Sequence, residues 1–439
     1  MKRLWLLLAA WLLCLTLAAC RREAPLDEVS PGETAPTQES VTEQTDAQGL
    51  RYVLMPNGRY RVEAGVLTVQ EVHIAGSIDG KPVSKITAKG FSGQTGLKRL
   101  HIPPSVTDVG AEAFAGCTAL EGVCITDLAA WCDIVFEDGG ITTNPLSLSG
   151  ALYLNGERLT ALHIPEGVRN VRAHAFRHWR ELRSVTLPAS LVGVGENAFS
   201  DCARLVEVYD LSPLSIEKGS SAHGAVAQYA LAVHTAADVP TSVFTDPNGY
   251  VFFDNGTERV LLTYTGTDTA LTLPAACNGE PYGIWQYAFA ERWKLTAVTL
   301  PDGVRAVGAY AFYGCTALQR LVLPASVTEI GEWAFGNCKG LADLTLSARI
   351  TELLWGTFCG CDALVTLTLP DTVETVYSGS FDDCAALTGV AFAVTENWYR
   401  FPFGSSLGTA VSLSDPAFNL SLLRNPDLDC LRLRKEKAT

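Results

Sequence analysis

The chain has 439 residues, 48% of them hydrophobic, and a formal net charge of −14 at pH 7. This acidic balance excludes a nucleic-acid-binding role, because nucleic acids bind basic patches, and it disfavours peripheral binding to anionic lipid. The length alone predicts two or three domains. An internal repeat overrides that expectation, because each coil of a solenoid contacts only its neighbours and the array can grow without a domain boundary.

The first twenty residues have the layout of an export signal. A short cationic start, Met1-Lys2-Arg3, precedes an almost wholly apolar run from Leu4 to Leu17, which predicts a signal peptide over residues 1–20. The run is shorter than the roughly 18–20 residues of a spanning helix. The sequence Leu-Ala-Ala-Cys up to Cys20 resembles a bacterial lipobox, which implies cleavage before Cys20 and lipidation of its thiol. In an ordinary secretory signal, the alternative, Cys20 would be incidental.

The signal is followed by a polar segment and then by a β-like pattern. Residues 21–49 are rich in Pro, Thr, Ser, Gln and acids without an apolar period, so they cannot bury enough surface to fold and are predicted to be a disordered tether. From residue 50 onward apolar residues alternate, as in Tyr60 and Val62. Residues 50–85 are therefore predicted to form a β-rich N-terminal cap, since a solenoid must cover its open end.

A repeat of 23 residues organises most of the remaining chain. It is clearest where Phe recurs at 289, 312, 335, 358 and 381, with Leu six residues after each. The spacing L-x-x-L-x-L and this period are the signature of a leucine-rich repeat. Alternation in Leu321-Val322-Leu323 predicts a short strand, which Pro324 ends. The predicted fold is a leucine-rich-repeat solenoid with a curved parallel β-sheet on one side and turns or short helical segments on the other.

Two interruptions divide the repeats into blocks, which we place at residues 86–210 and 266–395. The interruption at 126–160 should contain a helical turn near 127–134 and a hairpin near 152–159, because Asn155-Gly156 suits a type I′ turn. The interruption at 211–265 is predicted to be a β-hairpin insertion around Asp254-Asn255-Gly256. We interpret both as elaborated coils rather than separate domains, and residues 396–439 as a C-terminal cap and tail.

One coil carries a recognisable motif. Residues 323–341 read LPASVTEIGEWAFGNCKGL, and the pattern LPxSVTxIGxxAFxxCxxL resembles that of the BspA-like leucine-rich repeat proteins of bacterial surfaces. The resemblance covers most of the chain beyond residue 50, and the two hairpin interruptions also resemble segments of that family. It implies adhesion or partner binding at the cell surface, without naming a ligand.

The residues with reactive side chains do not form a catalytic or metal-binding pattern. Six of the thirteen cysteines lie three residues after an anchor Phe, which indicates a small apolar core position rather than a disulfide or metal site: Cys117, Cys202, Cys315, Cys338, Cys361 and Cys384. His174 and His178 could share a metal on a helix, but Phe176 between them is a core anchor, and a solvated coil edge is favoured. The other histidines are scattered: His73, His101, His163, His223 and His234. We therefore predict no catalytic residue, no metal and no cofactor.

The phase of the repeat predicts two candidate binding surfaces. Residues eight and ten after each Phe should point out of the parallel sheet, which selects Arg320, Val322, Asp343, Thr345, Thr366 and Thr368. Strand propensity alone would also favour these threonines. A second stripe stands two residues before successive Phe anchors, at Tyr287, Tyr310 and Trp333, with Trp285 and Trp355 close in phase. Aligned aromatics are typical of protein or glycan contacts, although they could instead pack on the turns beneath them.

Together these features predict a non-enzymatic, lipid-anchored protein on the extracytoplasmic face of a bacterial cell. Its predicted role is protein–protein interaction or adhesion, with a host or envelope protein as partner and membrane contact only through the lipid. The alternative is a surface lipoprotein that captures glycans with the aromatic stripe. An enzyme built on the interruptions, using His223 or His234, is disfavoured.

Overall fold

The structure is a computed structural model that describes residues 43–346, 349–401, 407–424 and 432–435. The predicted signal peptide, Cys20 and most of the predicted tether therefore lie outside the described residues. Within the described part of the chain, no helix combines the length and apolar character needed to cross a membrane.

An antiparallel three-stranded meander begins the fold, with strands β1 Glu43–Thr45, β2 Leu50–Leu54 and β3 Tyr60–Ala64. The Asp46 carboxylate holds the first turn by accepting hydrogen bonds from the N–H groups of Gln48 (2.9 Å) and Leu50 (2.8 Å). Strand β1 lies inside the predicted tether, so the folded part begins before the predicted boundary at residue 50. Its sequence Glu-Gln-Thr has no apolar alternation, and only pairing with β2 makes it a strand.

The first solenoid block follows, and its described strands belong to four sheets. The strands are β4 Glu71–His73, β5 Ser77–Ile78, β6 Lys81–Ile86, β7 Arg99–His101, β8 Asp108–Val109, β9 Gly122–Ile125, β10 Val135–Phe136, β11 Leu152–Leu154, β12 Glu157–Arg158, β13 Ala161–His163, β14 Asn170–Val171, β15 Ser184–Leu187, β16 Gly193–Val194, β17 Glu207–Asp210 and β18 Ala232–His234. The helices are α1 Leu128–Cys132, α2 Pro145–Ser149 and α3 Ala222–Ala225. Coils pair in parallel, as in β4–β7–β9, whereas the hairpins β5–β6 and β11–β12 are antiparallel.

The local elements predicted within the first interruption are confirmed. Helix α1 begins after Asp127, whose carboxylate accepts a hydrogen bond from the N–H of Ala130. The β11–β12 turn places Asn155 and Gly156 at φ of 52° and 87°, as a type I′ turn requires. Strand β11 also pairs in parallel with β9, so the hairpin extends the sheet of the block.

The second interruption contains a second meander that repeats the first. Its strands are β19 Val243–Thr245, β20 Tyr250–Asp254 and β21 Arg259–Tyr264, and the predicted hairpin turn joins the last two. The Asp246 carboxylate accepts hydrogen bonds from the N–H groups of Asn248 (3.0 Å) and Tyr250 (2.8 Å), as Asp46 does in the first meander. Strand β21 then pairs in parallel with the next block, as β3 does with β6. This interruption therefore contains a meander at the start of the second block, and its strand β21 extends a sheet of that block.

The second block and its closing cap complete the described chain. The strands of the block are β22 Ala270–Thr272, β23 Tyr282–Ile284, β24 Ala297–Thr299, β25 Val304–Val307, β26 Arg320–Leu323, β27 Glu329–Ile330, β28 Asp343–Leu346, β29 Glu352–Leu353, β30 Thr366–Leu369, β31 Thr375–Tyr377 and β32 Gly389–Phe392. The cap consists of β33 Trp398–Phe401, β34 Thr409–Val411, α4 Pro416–Leu423 and β35 Arg432–Lys435. Strand β35 pairs antiparallel with β31 and β33, which ends the parallel sheet.

The recurring phenylalanines form the predicted interior. In the second block the five rings are fully buried, and successive ring centroids are 5.0, 5.4, 5.5 and 5.9 Å apart: Phe289, Phe312, Phe335, Phe358 and Phe381. Backbone hydrogen bonds also link adjacent coils here, since the N–H of Phe312 donates at 2.8 Å to the carbonyl of Ala334, the residue before Phe335. The solenoid fold is confirmed. The two blocks have separate apolar cores, and a small cluster at their joint contains Val206, Val251, Phe253 and Leu262.

The cysteine position predicted to be apolar core is buried. Each of the six thiols donates to the carbonyl oxygen of the Phe one coil earlier, at 3.1–3.4 Å. All ten cysteines among the described residues are unpaired and buried. Burial raises the pKa of Cys202 and Cys315 to about 12, so these thiols stay protonated at neutral pH.

Candidate binding site

The outer face of the second block's sheet presents the six residues that the repeat phase selected. All six side chains are exposed, including Val322 at 39%. Arg320 and Asp343 are neighbours on paired strands and form an ion pair at 3.1 Å, with both side chains more than half exposed. Such an ion pair contributes little to stability. All six residues except Val322 are polar or charged. The role of this face in binding stays a prediction.

Tyr287, Tyr310 and Trp333 form what we call the aromatic stack. The Tyr287 and Tyr310 rings lie 4.9 Å apart and the Tyr310 and Trp333 rings 6.3 Å apart, each pair within 2° of parallel. They stack because the same position recurs in adjacent coils. Tyr287 is 36% exposed and the other two are half-buried. The ring faces that point along the stack are therefore turned toward the neighbouring rings.

The aromatic stack ends against Gly356, and the two flanking tryptophans, Trp355 and Trp285, make different contacts. A Cβ atom at Gly356 would lie 2.4 Å from the Trp333 indole, so the missing side chain makes room for that ring. Trp355 lies over Gly379 in the same way and is 53% exposed. Trp285 turns away instead: its indole N–H donates to the carbonyl of Ala203 at 2.8 Å, in the other block. Trp285 is thus part of the joint and not of the exposed stripe.

All three residues of the stack have left-handed backbones, with φ of 55–56°. The same position in other coils is also left-handed, at Lys89, Glu112, His174, Asn197, Gly356 and Gly379. A bulky residue in this conformation costs about 1–2 kcal/mol, so the aromatic side chains stand where glycine would be the least strained residue. Sequence analysis missed this feature, and its one signal was the glycine at this position in two later coils.

A pocket of about 440 Å³ lies where the two blocks meet, and we call it the joint pocket. Its lining is mainly apolar, and the aromatic stack begins in it: the first block contributes His178, Arg180, Asp201, Arg204 and Tyr229 among others, and the second contributes Tyr287, Glu291, Tyr310 and Tyr313. Arg180 forms an ion pair with Glu291 across the joint, and its Nε donates to His178 Nε2 at 3.0 Å. Burial lowers the pKa of His178 and raises that of Tyr287 to about 12.

Arg204 fixes one block against the other beneath this pocket. Its guanidinium donates to the carbonyl oxygens of Tyr287 (3.2 Å) and Ala288 (3.3 Å) in the second block, and to that of Arg180 (3.2 Å) in the first. Burial lowers the pKa of Arg204 to about 10, which still leaves it charged at neutral pH. The backbone that carries Tyr287 is therefore held by a charged clamp from the other block.

The histidines weighed from the sequence lie in different surroundings. His174 and His178 have left-handed backbones and are not on a helix, so they lack the helical geometry that would let them share a metal. His234 lies 3.1 Å from the buried carboxylate of Glu207, which also accepts a hydrogen bond from Thr241 at 2.6 Å. These contacts join the segment after β18 to the sheet of the first block. His223 lies in α3 with φ of 49°.

A family profile matches the repeats of this chain. The profile described as "BspA type Leucine rich repeat region" matches in six copies, over residues 75–138, 148–220 and 283–401. A leucine-rich repeat protein from Eubacterium ventriosum ATCC 27560 is 17% identical with a TM-score of 0.38, covering 79% of this chain and 83% of its own. A leucine rich cell surface protein from Faecalibacterium prausnitzii A2-165 is 20% identical with a TM-score of 0.30, covering 82% and 97%. A search of curated proteins finds no match.

The profile covers more than half of the chain and includes coils from both blocks. The resemblance carried by the repeat motif is confirmed, and the chain belongs to the BspA-type leucine-rich repeat family.

Proposed function

We propose that this chain is a non-enzymatic surface protein that binds a protein partner through the joint pocket and the aromatic stack. The observation that carries the proposal is a row of aligned aromatic rings that runs into a mainly apolar pocket bearing Arg180 and Arg204. Tyr, Trp and Arg dominate the hot spots of protein interfaces, and concave apolar sites with a few polar groups are the usual binding sites. Anchoring through a lipid on Cys20, at the extracytoplasmic face, is part of the same proposal.

The geometry of the stack favours a protein over a glycan. A sugar packs its C–H groups against an open aromatic face, whereas the inner faces of Tyr287, Tyr310 and Trp333 cover one another. The row of rings also lies beside the charged groups of Arg180 and Glu291 in the joint pocket. A protein surface can complement such a row with both apolar and hydrogen-bonding groups.

The test replaces Tyr310 with Gly in the full chain. The fold should accept this substitution, because Gly356 and Gly379 occupy the same left-handed position in later coils. Proteins captured from the cell surface by the wild-type chain should bind the variant at least about tenfold more weakly, which corresponds to about 1.4 kcal/mol. The matched control is Trp293→Ala, which removes a ring that is 62% exposed and does not line the pocket. Equal capture by all three proteins would contradict the proposal.

One observation keeps glycan binding as a second candidate. The indole of Trp355 has one side against Gly379 and is 53% exposed, so it offers an open ring face. An array of polysaccharides would discriminate the two candidates. Polysaccharide hits that disappear in Trp355→Ala or Trp333→Ala would favour glycan capture, whereas an array without hits, together with protein capture that Tyr310→Gly weakens, would favour a protein partner.

Lipid anchoring has its own test. Replacing Cys20 with Ala should move the protein from the membrane fraction to the soluble fraction and abolish metabolic labelling with a fatty-acid analogue. The control is Cys14→Ala, because Cys14 lies inside the apolar run of the signal. If Cys20→Ala remains membrane-bound and labelled, the anchor proposal is wrong, while the proposed binding site is unaffected.

A further inference from the structure

Three residues with metal-ligating side chains meet at the edge of the first block's sheet. Glu71 and His73 lie on β4 and His101 lies on β7, and the pairing sets Glu71 opposite Arg99 and His73 opposite His101. Between them, Val72 and Leu100 are fully buried. Because strand side chains alternate between faces, the three residues share the outer face. Each offers one ligand atom, and these atoms lie within 4.8 Å of one another.

The contacts within this cluster are close. The His73 and His101 rings stack with centroids 3.7 Å apart and 16° between their planes. His101 Nε2 lies 2.7 Å from a carboxylate oxygen of Glu71. Through that hydrogen bond, His101 lowers the pKa of Glu71. A carboxylate and two imidazoles are therefore already assembled on one small patch.

We propose that Glu71, His73 and His101 form a binding site for a divalent transition-metal ion, with Zn²⁺ as the ion that the donors fit best. Two imidazole nitrogens and one carboxylate oxygen are a donor set typical of zinc, and they are too few and too nitrogen-rich for calcium or magnesium. Tetrahedral bonds of 2.0–2.1 Å place donor atoms about 3.3 Å apart. Because the two imidazole rings are stacked, coordination requires the exposed side chains of Glu71 and His73 to rotate until the three atoms reach that spacing.

Hydrogen bonds from a neighbouring side chain fix the backbone of the site at His73. The side-chain amide of Gln48 clamps His73: its oxygen accepts from the His73 N–H and its nitrogen donates to the His73 carbonyl, both at 2.9 Å. The Arg99 guanidinium, on the strand position opposite Glu71, lies 4.9 Å from the centre of the Tyr153 ring on β11, two strands away from β7. A preorganised backbone favours metal binding, because less order must be imposed when the ion binds.

Three protein ligands leave at least one coordination position open. In zinc proteins that position holds water or a ligand from another molecule. The site lies on the outer face of the sheet and is partly exposed, with side-chain exposures of 50% for Glu71 and 32% for His101. A side chain of a second protein can therefore reach the ion. This inference does not depend on the proposed function, because the site and the joint pocket share no residue.

The experiment uses the untagged full chain after removal of metals with a chelator. Titration calorimetry with Zn²⁺ should show one saturable site per chain, and Co²⁺ in its place should give a visible absorption band of low coordination number. Zn²⁺ should also raise the midpoint temperature of thermal unfolding, because a ligand that binds only the folded state stabilises that state. In His101→Gln and in His73→Gln the affinity should fall at least about tenfold, since the loss of even an outer-shell partner costs that much.

A matched control is His163→Gln, because His163 is also an exposed histidine at the end of a short strand, β13, but lies outside the proposed site. It should leave the affinity and the thermal shift unchanged. Thermal unfolding of the metal-free variants checks that each one folds. The absence of saturable binding in the wild-type chain, or equal affinity in the wild type and the two ligand variants, would overturn the assignment.

Discussion

Replacing Phe312 with Ala tests the physical basis of the whole architecture. The ring is fully buried and lies between Phe289 and Phe335, with centroids 5.0 and 5.4 Å away. A buried Phe→Ala substitution costs about 3–5 kcal/mol, because apolar contacts are lost and a cavity remains. Aromatic stacking on both neighbours favours the upper half of that range. Since whole domains are stable by only about 5–15 kcal/mol, the loss should be a large fraction of the block's stability.

The separate cores of the two blocks make the expected effect local. Phe312 belongs to the core of the second block, whereas Phe114 is fully buried in the core of the first. Hydrogen exchange across a urea series, followed by mass spectrometry, measures the opening free energy of peptides from each block. In Phe312→Ala the peptides of the second block should lose about 3–5 kcal/mol of protection. Peptides of the first block should change by less than about 0.5 kcal/mol, as expected for distant sites.

Two controls decide the interpretation. Phe114→Ala should give the mirror result, and Val322→Ala, on the exposed sheet face, should change neither block by more than about 0.5 kcal/mol. A loss below about 1 kcal/mol in Phe312→Ala would refute a close-packed ladder as the source of stability. Equal losses in both blocks would instead refute their separate cores.

Further predictions address the glycine contact, the joint and the thiols. Gly356→Ala should destabilise the chain by about 1–2 kcal/mol more than Gly58→Ala, because both have positive φ but only the first brings a Cβ against Trp333; equal urea midpoints would contradict this. Arg204→Ala should lower the unfolding free energy by about 1–3 kcal/mol, since it leaves buried carbonyls unpaired. Glu291→Gln should lower it by less than about 1 kcal/mol, because its ion pair is exposed. A larger loss of unfolding free energy in Glu291→Gln than in Arg204→Ala would show that Arg204 does not hold the two blocks together. Burial raises the pKa of several thiols to about 12, so the described cysteines should resist alkylation at pH 8 until the chain unfolds. Rapid alkylation of these cysteines in the native chain would show that their thiols are not buried. Unfolded thiols ionise near pH 8.5 while folded ones stay protonated, so the free energy of unfolding should fall as pH rises above about 8.5.

The sequence was sufficient for the features that repeat. Because a coil places the same position at the same depth each time, the period of 23 residues predicted which side chains are buried, such as Phe335 and Cys338, and which are exposed, such as Thr345. The structure also explains Gly331, which directly follows β27. A Cβ there would lie 2.3 Å from the backbone nitrogen of Ala309, so close contact between coils requires the glycine.

Features outside the 23-residue repeat were not visible in the pattern. The second meander resembles an inserted hairpin in sequence, and only its pairing shows that it starts a new core. The joint pocket and the Arg204 clamp join residues that are about eighty positions apart, and the histidines of the proposed zinc site lie on strands that only folding brings together.

By itself, the sequence determined the solenoid, its register and the alignment of the aromatic residues, because a strict repeat converts linear spacing directly into position around a coil. The tertiary structure decided where the repeat stops and restarts, how the blocks meet and which exposed residues share one surface. Those outcomes depend on contacts between distant, non-repeating segments, whose energies no local period encodes.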